Sequence, residues 1–342
     1  MANPRDILLG AQAAPAALPV CDHYCGVESR MRKSLALQME MAQQRGWCLF
    51  DVTLDCEDGA PVGEEREHAQ GVAELIRETA PGWGGLRRRV AVRLHPVDHP
   101  AFEQDVALIV GTVAPSLCHV MIPKVESTHD LDRAARLVAR AAERAGRSTP
   151  LPLHALIESP AAVHQVFDLA AHPAVESLSF GLMDFVSAHG GAIPAQAMGL
   201  ADDPGGLDQF SHPLVLQAKL AIAAACHANA KVPSHCVVTE LHDMNRLRSA
   251  ARQVASRLGY TRMWSIHPTQ IQPILEAFEP DSSEVILAGD ILLAAQRVDW
   301  APIAAGGKLH DRASYRYFWQ VLERAHRLGQ PIPAQAKVFF DA

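Results

Sequence analysis

His154-Ala-Leu-Ile-Glu158-Ser159 and Leu178-Ser-Phe-Gly-Leu-Met-Asp184-Phe185 are short apolar runs that each lead to a carboxylate. The two carboxylates are 26 residues apart, close to the length of one strand–helix repeat. Neighbouring parallel strands would therefore bring both to the same edge of a sheet. Two oxygen ligands there, with space left for water and substrate, are the usual way in which proteins hold a catalytic Mg²⁺. The pair predicts a divalent metal site on a parallel sheet.

Apolar runs of strand length recur along the chain. They are a weak first run at Leu18–His23, then Leu49–Leu54, Val90–Leu94, Cys118–Ile122, Leu153–Ile157, Val175–Phe180, Val232–Val238 and Met263–Ile266. Segments with helical periodicity lie between them, and eight such strands predict a (β/α)₈ barrel. A doubly wound open sheet would give the same alternation, but no Gly-rich phosphate-binding fingerprint follows the first strand.

The alternation stops after Ile266. We therefore predict a barrel domain over residues 1–271 and a C-terminal helical extension over residues 272–342. Residues 187–213, rich in Gly, Ala, Asp and Pro, are predicted to form a long loop after the sixth strand. The aromatic stretch Tyr315-Arg-Tyr-Phe-Trp319 is more apolar than a solvated helix normally tolerates, which predicts a homotrimer or a dimer of trimers.

Composition excludes several classes of protein. The net charge is −7 and Arg87-Arg88-Arg89 is the only compact basic run, which argues against a nucleic-acid partner. No apolar stretch approaches membrane-spanning length, and no signal peptide is evident at the N-terminus. Seven cysteines without a CxxC pair are typical of reduced thiols, so we expect a cytoplasmic protein.

Further ionisable residues follow the predicted strands. Asp55-Cys-Glu57-Asp58-Gly59 follows the second strand, Arg93 lies in the third, and Lys124-Val-Glu126 follows the fourth. In a (β/α)₈ barrel all these strand ends open onto the C-terminal face, where active sites lie. Converging charges are costly unless they pair or bind ions, which favours a metal-dependent reaction on an anionic substrate.

Six of these stretches, in the same order, resemble the citrate lyase β-subunit-like group of the HpcH/HpaI aldolase and citrate lyase superfamily over residues 17–275. The stretches are Val52-Thr-Leu-Asp-Cys-Glu-Asp-Gly-Ala60, Val92-Arg-Leu-His-Pro96, Met121-Ile-Pro-Lys-Val-Glu-Ser127, Ala155-Leu-Ile-Glu-Ser159, Phe180-Gly-Leu-Met-Asp-Phe185 and Trp264-Ser-Ile-His-Pro268. The resemblance implies a (β/α)₈ barrel that uses Mg²⁺, with Mn²⁺ as an alternative. It also implies cleavage or formation of a C–C bond in a short hydroxyacyl-CoA thioester, malyl-CoA- or citramalyl-CoA-like, with a 2-oxo acid as partner.

The resemblance also implies roles for individual residues. Glu158 and Asp184 match the Mg²⁺ ligands. Arg93 matches the arginine that binds the substrate carboxylate and stabilises the enolate, for which a planar guanidinium is suited. Glu57 and Asp58 match the acidic pair after the second strand, and we interpret them as acting through metal-bound waters or through Arg93.

Other features bear on the family resemblance: one further similarity, two departures from the usual pattern, and an expected ion-pair network. Ala305-Gly-Gly-Lys-Leu-His-Asp311 is similar to the segment after which malyl-CoA and citramalyl-CoA lyases place a catalytic aspartate, supplied by a neighbouring subunit. His95 stands where family members usually carry Asn, and the insert Ser187–His212 departs from the common pattern. Lys124 and Glu126 are expected to form an ion-pair network under the site.

Alternative functions stay open at this point. A class II pyruvate aldolase acting on free 4-hydroxy-2-oxo acids would usually have a histidine beside the strand-two acidic residues, where this chain reads Asp-Cys-Glu-Asp-Gly. A malyl-CoA thioesterase would use nearly the same residues as the lyase. A non-catalytic barrel subunit is disfavoured because Glu158, Asp184 and Arg93 are all present.

Overall fold

The structure, a computed structural model, describes residues 4–10, 18–203 and 205–340. The chain divides into two compact units. One unit is Leu18–Ala277, and the other combines Met1–Ala17 with Phe278–Ala342. The barrel unit thus ends at Ala277, and the domain boundary drawn from the sequence after residue 271 stays a prediction.

Eight parallel strands form a closed barrel in chain order. They are β1 (Cys21–Cys25), β2 (Phe50–Asp55), β3 (Val90–Arg93), β4 (Leu117–Ile122), β5 (Leu153–Ile157), β6 (Val175–Phe180), β7 (Val232–His235) and β8 (Arg262–Ser265). The barrel is closed by pairing of β1 with β8, in which Cys21 lies opposite Met263. The predicted (β/α)₈ fold is therefore confirmed, including the weak first strand.

Helices alternate with these strands and continue beyond them. They are α1 (Pro4–Leu8), α2 (Glu28–Arg45), α3 (Glu65–Glu78), α4 (Phe102–Asp105), α5 (Gly111–Val113), α6 (Thr128–Arg144), α7 (Pro160–His164), α8 (Val166–Ala171), α9 (Leu182–Ser187), α10 (Pro213–Ala228), α11 (Met244–Arg257), α12 (Ile271–Ala277), α13 (Ser282–Arg297) and α14 (Arg312–Leu328). A π-helical turn, Val106–Val110, joins α4 to α5. Helix α6 begins with a capping box, in which Ser127 Oγ and the Asp130 carboxylate each accept the other residue's backbone N–H. None of the described helices is both long and apolar enough to cross a lipid bilayer.

The second unit has its own core. It contains α1, α13, α14 and a hairpin of β9 (Ile303–Ala305) and β10 (Lys308–His310). Tyr315, Phe318 and Trp319 are buried in this core, and within the aromatic stretch only Tyr317 is half exposed. The expectation that these aromatic residues form an exposed patch for subunit contacts was wrong. Helix α14 is amphipathic, and its aromatic face packs into the core of its own unit. The homo-oligomer stays a prediction, without this support.

The barrel interior contains buried charge. Arg262 is fully buried, and its Nη2 lies 2.8 Å from Asp22 Oδ2 and 2.7 Å from Asp51 Oδ2. Arg89, just before β3, also pairs with Asp51. Thr53 Oγ1 donates to Asp22 Oδ1 at 2.7 Å. These ion pairs link β1, β2 and β8, so the strands that close the barrel are held together by charge as well as by backbone hydrogen bonds.

Replacing Arg262 by Met should be strongly destabilising, because two buried carboxylates would lose their shared cation. We expect the free energy of unfolding to fall by about 3–5 kcal/mol. Urea denaturation followed by circular dichroism measures this change. Arg252→Met, on the exposed face of α11, is the matched control and should stay within about 0.5 kcal/mol of the parent protein. A loss at Arg262 as small as that of the control would contradict the structural role of the ion pairs.

Candidate active site

A cleft of about 440 Å³ lies at the carboxyl ends of the middle barrel strands. Its lining includes Glu158 and Asp184, the two predicted metal ligands, together with Lys124, Glu126 and Asp98. The structure therefore brings the predicted ligand pair into one cavity, on the face of the barrel where (β/α)₈ enzymes carry their active sites.

Glu158 directly follows β5 and is almost fully buried. Its Oε2 accepts a hydrogen bond from Lys124 N at 2.6 Å, whereas Oε1 has no donor among the described residues. Burial raises the pKa of Glu158 to about 7; the Lys124 hydrogen bond opposes this shift and the nearby Asp184 carboxylate adds to it. A divalent cation would offset both the burial and the repulsion, so the donor set fits Mg²⁺.

Asp184 lies in the first turn of α9, not at a strand end as the sequence pattern indicated. Leu182 and Phe185 are buried beneath this short helix, which leaves the side chain of Asp184 at the cleft. No described side chain or backbone group forms a hydrogen bond with its carboxylate. Both proposed ligands thus have oxygen atoms that receive no hydrogen bond from the described part of the chain.

Arg93 ends β3 and is held by a carboxylate that the sequence analysis did not single out. Its Nε and Nη2 donate to Asp55 Oδ1 and Oδ2 at 2.6 and 2.7 Å, and its Nη1 lies 3.1 Å from Glu57 Oε2. Burial opposes the charged form, but the Asp55 carboxylate outweighs it and raises the pKa of Arg93. Asp55 and Arg93 are direct partners in the β2–β3 register. That parallel pairing was the signal that could have identified Asp55.

The aromatic ring of Tyr24 lies against the guanidinium, with Arg93 Cζ 4.8 Å from the ring centroid. This cation–π contact supports the plane of Arg93 from the side of β1. The sequence analysis did not predict a role for Tyr24 beside Arg93. The available signal was strand alternation, which places Tyr24 on the same face of β1 as the charged residue Asp22.

The acidic pair after β2 is joined to the cleft by Lys124. The Lys124 Nζ lies 2.5 Å from Glu57 Oε1 and 3.4 Å from Asp58 Oδ1, so the ion-pair network expected for Lys124 is present. Lys124 has a φ of 51°, a left-handed conformation that costs free energy for a non-glycine residue. That backbone conformation lets its N–H reach Glu158 while its side chain reaches Glu57. Glu126 is exposed and instead accepts from Ser159 Oγ at 2.8 Å.

His95, the residue that departs from the family pattern, pairs with a buried carboxylate. Its Nδ1 lies 2.6 Å from Asp105 Oδ2, and its backbone N–H donates to the same oxygen. The Asp105 pairing assigns the Nδ1–H tautomer and leaves Nε2 without a protein partner among the described residues. Burial opposes protonation, but the Asp105 hydrogen bond and charge raise the pKa of His95, and the Glu57 charge adds to this rise. His95 is therefore close enough to Glu57, one of the acidic residues after β2, for the Glu57 charge to act on its imidazole.

Asp311 lies in the second unit and forms the N-cap of α14. Its Oδ1 accepts from Ala313 N at 2.9 Å and from Ser314 N at 3.3 Å. A capping role explains its position without any catalytic function. The catalytic role implied by the family resemblance stays a prediction.

The insert after α9 is anchored to the barrel. Lys219, buried in α10, donates from Nζ to both the carbonyl oxygen and Oε1 of Gln209, each at 2.9 Å, and lies over the ring of Phe210. Arg246 in α11 donates to Ala201 O at 2.8 Å. These contacts hold the insert in place next to α9, the helix that carries Asp184.

Solved structures share this architecture. The crystal structure of a citrate lyase from Burkholderia xenovorans LB400 superposes with a TM-score of 0.82 at 46% identity, and covers 99% of this chain and 100% of that one. The protein CitE from Mycobacterium tuberculosis, solved with magnesium, acetoacetate and coenzyme A, has a TM-score of 0.64 at 20% identity, over 91% of this chain and 99% of that one. At this identity the second likeness indicates a common fold.

Comparison of the amino-acid sequence with known proteins identifies lyases as relatives. An L-malyl-CoA/β-methylmalyl-CoA lyase from Cereibacter sphaeroides is 30% identical over 288 residues, which span 81% of this chain and 87% of that protein. A malyl-CoA/β-methylmalyl-CoA/citramalyl-CoA lyase from Chloroflexus aurantiacus is 26% identical over 299 residues, or 83% and 82% of the two chains. The family model for HpcH/HpaI aldolase/citrate lyase matches residues 36–268. The chain therefore belongs to the HpcH/HpaI aldolase/citrate lyase family and is a carbon–carbon lyase of its citrate lyase β-subunit-like group.

Proposed function

We propose that this lyase cleaves or forms a short 3-hydroxyacyl-CoA thioester, malyl-CoA- or citramalyl-CoA-like, with Mg²⁺ held by Glu158 and Asp184. The observation that carries this proposal is one cleft that contains both carboxylates, each with oxygen atoms that receive no hydrogen bond from the described residues, beside the Lys124–Glu57–Arg93 network. Lyases of malyl-CoA and related thioesters match over four fifths of the chain. The CitE protein of M. tuberculosis holds magnesium and coenzyme A in its crystal.

Bound to the two carboxylates, Mg²⁺ would supply a Lewis acid and a template for the 2-oxo acid fragment. The chain's own residues would handle the remaining charge. Arg93 has five N–H groups, of which two donate to Asp55, one of Nη2 faces Tyr24 Oη at 3.5 Å and one of Nη1 faces Glu57. Its remaining Nη1 N–H can stabilise the negative charge that develops on the thioester oxygen as the C–C bond breaks. Because Asp55 fixes the guanidinium plane, little reorganisation is needed at that moment.

Cleavage also needs an acceptor for the proton of the substrate hydroxyl group. Asp311, which the family resemblance implies to be a catalytic aspartate supplied by a neighbouring subunit of the proposed trimer or dimer of trimers, or a water at the metal site would accept this proton. Glu57 and Asp58 would then act indirectly, through Lys124 and through water at the metal site.

A second candidate function has one observation in its favour. His95 is oriented by Asp105 and lies near enough to Glu57 for its charge to raise the pKa of the imidazole. This is the kind of histidine that a class II aldolase would use with a free 4-hydroxy-2-oxo acid. The neutral imidazole would accept the hydroxyl proton at Nε2 while Asp105 holds Nδ1–H.

Asp184→Asn should abolish detectable Mg²⁺ binding and turnover. One of two carboxylates is lost, and the remaining charge is too small to hold a hydrated divalent ion. Isothermal titration calorimetry with MgCl₂ measures the affinity. Asp168→Asn, the same substitution on the exposed face of α8, is the control and should bind Mg²⁺ like the parent protein. Unchanged Mg²⁺ affinity in Asp184→Asn would show that Asp184 is not a ligand and that the metal does not bind in this cleft as proposed.

Arg93→Lys should fold but lose most of its activity. The charge persists, whereas the bidentate contact with Asp55 and the oriented N–H groups do not. A lost charge-stabilising contact costs about 3 kcal/mol in the transition state, roughly a hundredfold in kcat/KM. Steady-state kinetics with a thermal melt as the folding check makes this measurement. Parent-like kcat/KM would leave Arg93 with a structural role only.

The substrate class can be tested in the direction of synthesis. With Mg²⁺, acetyl-CoA or propionyl-CoA and glyoxylate or pyruvate, the protein should form a hydroxyacyl-CoA product detectable by mass spectrometry. His95→Asn, which restores the residue usual in the family, should retain this activity because Asn preserves a polar group at the site. A protein that ignores every CoA ester but cleaves a 4-hydroxy-2-oxo acid, and loses that cleavage in His95→Asn, would establish the second candidate instead.

A further inference from the structure

A second cleft lies at the opposite end of the barrel from the candidate active site. It has a volume of about 450 Å³. Its walls come from the segments that precede β3, β4 and β5, which supply Arg87 and Arg88, Ser116, and Arg147 to Thr149. The cleft is therefore at the amino ends of the strands, whereas Glu158 and Asp184 follow the carboxyl ends.

The lining of this cleft is basic and contains no carboxylate. Arg87, Arg88 and Arg147 all contribute, and no Asp or Glu is among the lining residues. This is unusual in a chain whose net charge is −7. Three guanidinium groups around one small cavity repel each other unless an anion lies between them.

Arg88 is held in place by neutral groups. Its Nη1 donates to Thr79 Oγ1 and its Nη2 donates to Ile76 O, both at 2.9 Å. Those bonds orient the guanidinium without cancelling its charge. Its Nε–H and one N–H on each Nη remain for a ligand.

Arg147 is anchored in the same way. Its Nη1 donates to Ala114 O at 2.8 Å and to Leu117 O at 2.7 Å, and its Nε donates to Thr149 O at 3.0 Å. Arg87, by contrast, is exposed and has no hydrogen-bond partner among the described residues. Two fixed cations and one movable cation thus surround the cavity.

We propose that this cleft binds the phosphate group of a small phosphorylated molecule. A phosphate dianion presents several oxygens in a tetrahedral arrangement and carries up to two negative charges, so it can contact guanidinium groups from three directions and offset more of their charge than one carboxylate can. The hydroxyl groups of Ser116, Ser148 and Thr149 supply further donors. The cavity exceeds the volume of one phosphate, and Trp83 and Leu86 give it an apolar side for the rest of the ligand.

The pKa shifts of the cleft arginines are consistent with a phosphate bound between them. Burial lowers the pKa of Arg88, and burial together with the charge of Arg87 lowers the pKa of Arg147. The opposite holds for Arg93, where a carboxylate partner raises the pKa. Neither Arg88 nor Arg147 forms an ion pair with a carboxylate among the described residues, although the Glu176 charge partly opposes the lowering at Arg147, and a bound phosphate would supply a direct counter-charge.

Calorimetric titration with inorganic phosphate and with pyrophosphate tests the proposal. The buffer should be free of Mg²⁺ and held at constant ionic strength with chloride. We expect saturable binding to the parent protein, and binding at least about tenfold weaker in Arg87→Gln, because one charge-assisted contact is lost. Arg87 is exposed and unpartnered, so the variant should melt at the parent temperature when phosphate is absent.

Arg66→Gln is the matched control. Arg66 is an exposed arginine at the start of α3, outside the lining of this cleft, and its replacement should leave phosphate affinity unchanged. Phosphate that binds Arg87→Gln as tightly as the parent protein occupies another site, and that result would overturn the proposal. So would the absence of saturable binding to the parent protein. Neither result depends on which substrate the catalytic cleft accepts.

Discussion

One buried carboxylate organises the catalytic end of this barrel. Asp55 accepts four hydrogen bonds, two from the Arg93 guanidinium and two from the backbone N–H groups of Glu57 and Gly59. The first two orient Arg93, the arginine proposed to act on the substrate, and the last two hold the turn that carries the acidic pair after β2. Lys124 then joins this turn to Glu158, one of the two proposed metal ligands, because it contacts both Glu57 and Glu158. The geometry across three strand ends thus depends on the position of a single side chain.

The barrel architecture was predictable because it follows from local patterns of apolar residues in the sequence. Runs of apolar residues at strand length, separated by helical periods, specify parallel strands covered on both sides, and parallel strands bring Glu158 and Asp184 to one end. The sequence could not predict contacts between side chains whose positions in the chain follow no helical or strand periodicity. Asp105 reaches His95 because a short helix turns back over the end of β3. The burial of Tyr315 and Trp319 depends on α13 packing against α14, and no pattern within α14 indicates which partner covers it.

The distribution of charge along the barrel axis gives the molecule two unlike ends. The carboxyl end concentrates acidic groups around Arg93 and Lys124, which suits a cation and the anionic substrate that it would chelate. At the amino end, Arg88 and Arg147 donate only to neutral oxygens. In the buried ion-pair cluster of the barrel, Arg262 and Arg89 together balance the charges of Asp22 and Asp51.

Two glycines determine how rigid the catalytic end is. A Cβ atom on Gly181 would lie 2.3 Å from Glu158 Oε1, and a Cβ atom on Gly59 would lie 2.4 Å from Asp55 Oδ2. Each carboxylate therefore rests directly on bare main chain, which limits its rotamers by volume. Side chains confined in this way lose little conformational entropy when a ligand arrives. For directed evolution, the consequence is that these two codons should be left unrandomised, while substrate range is explored at His95 and along the insert.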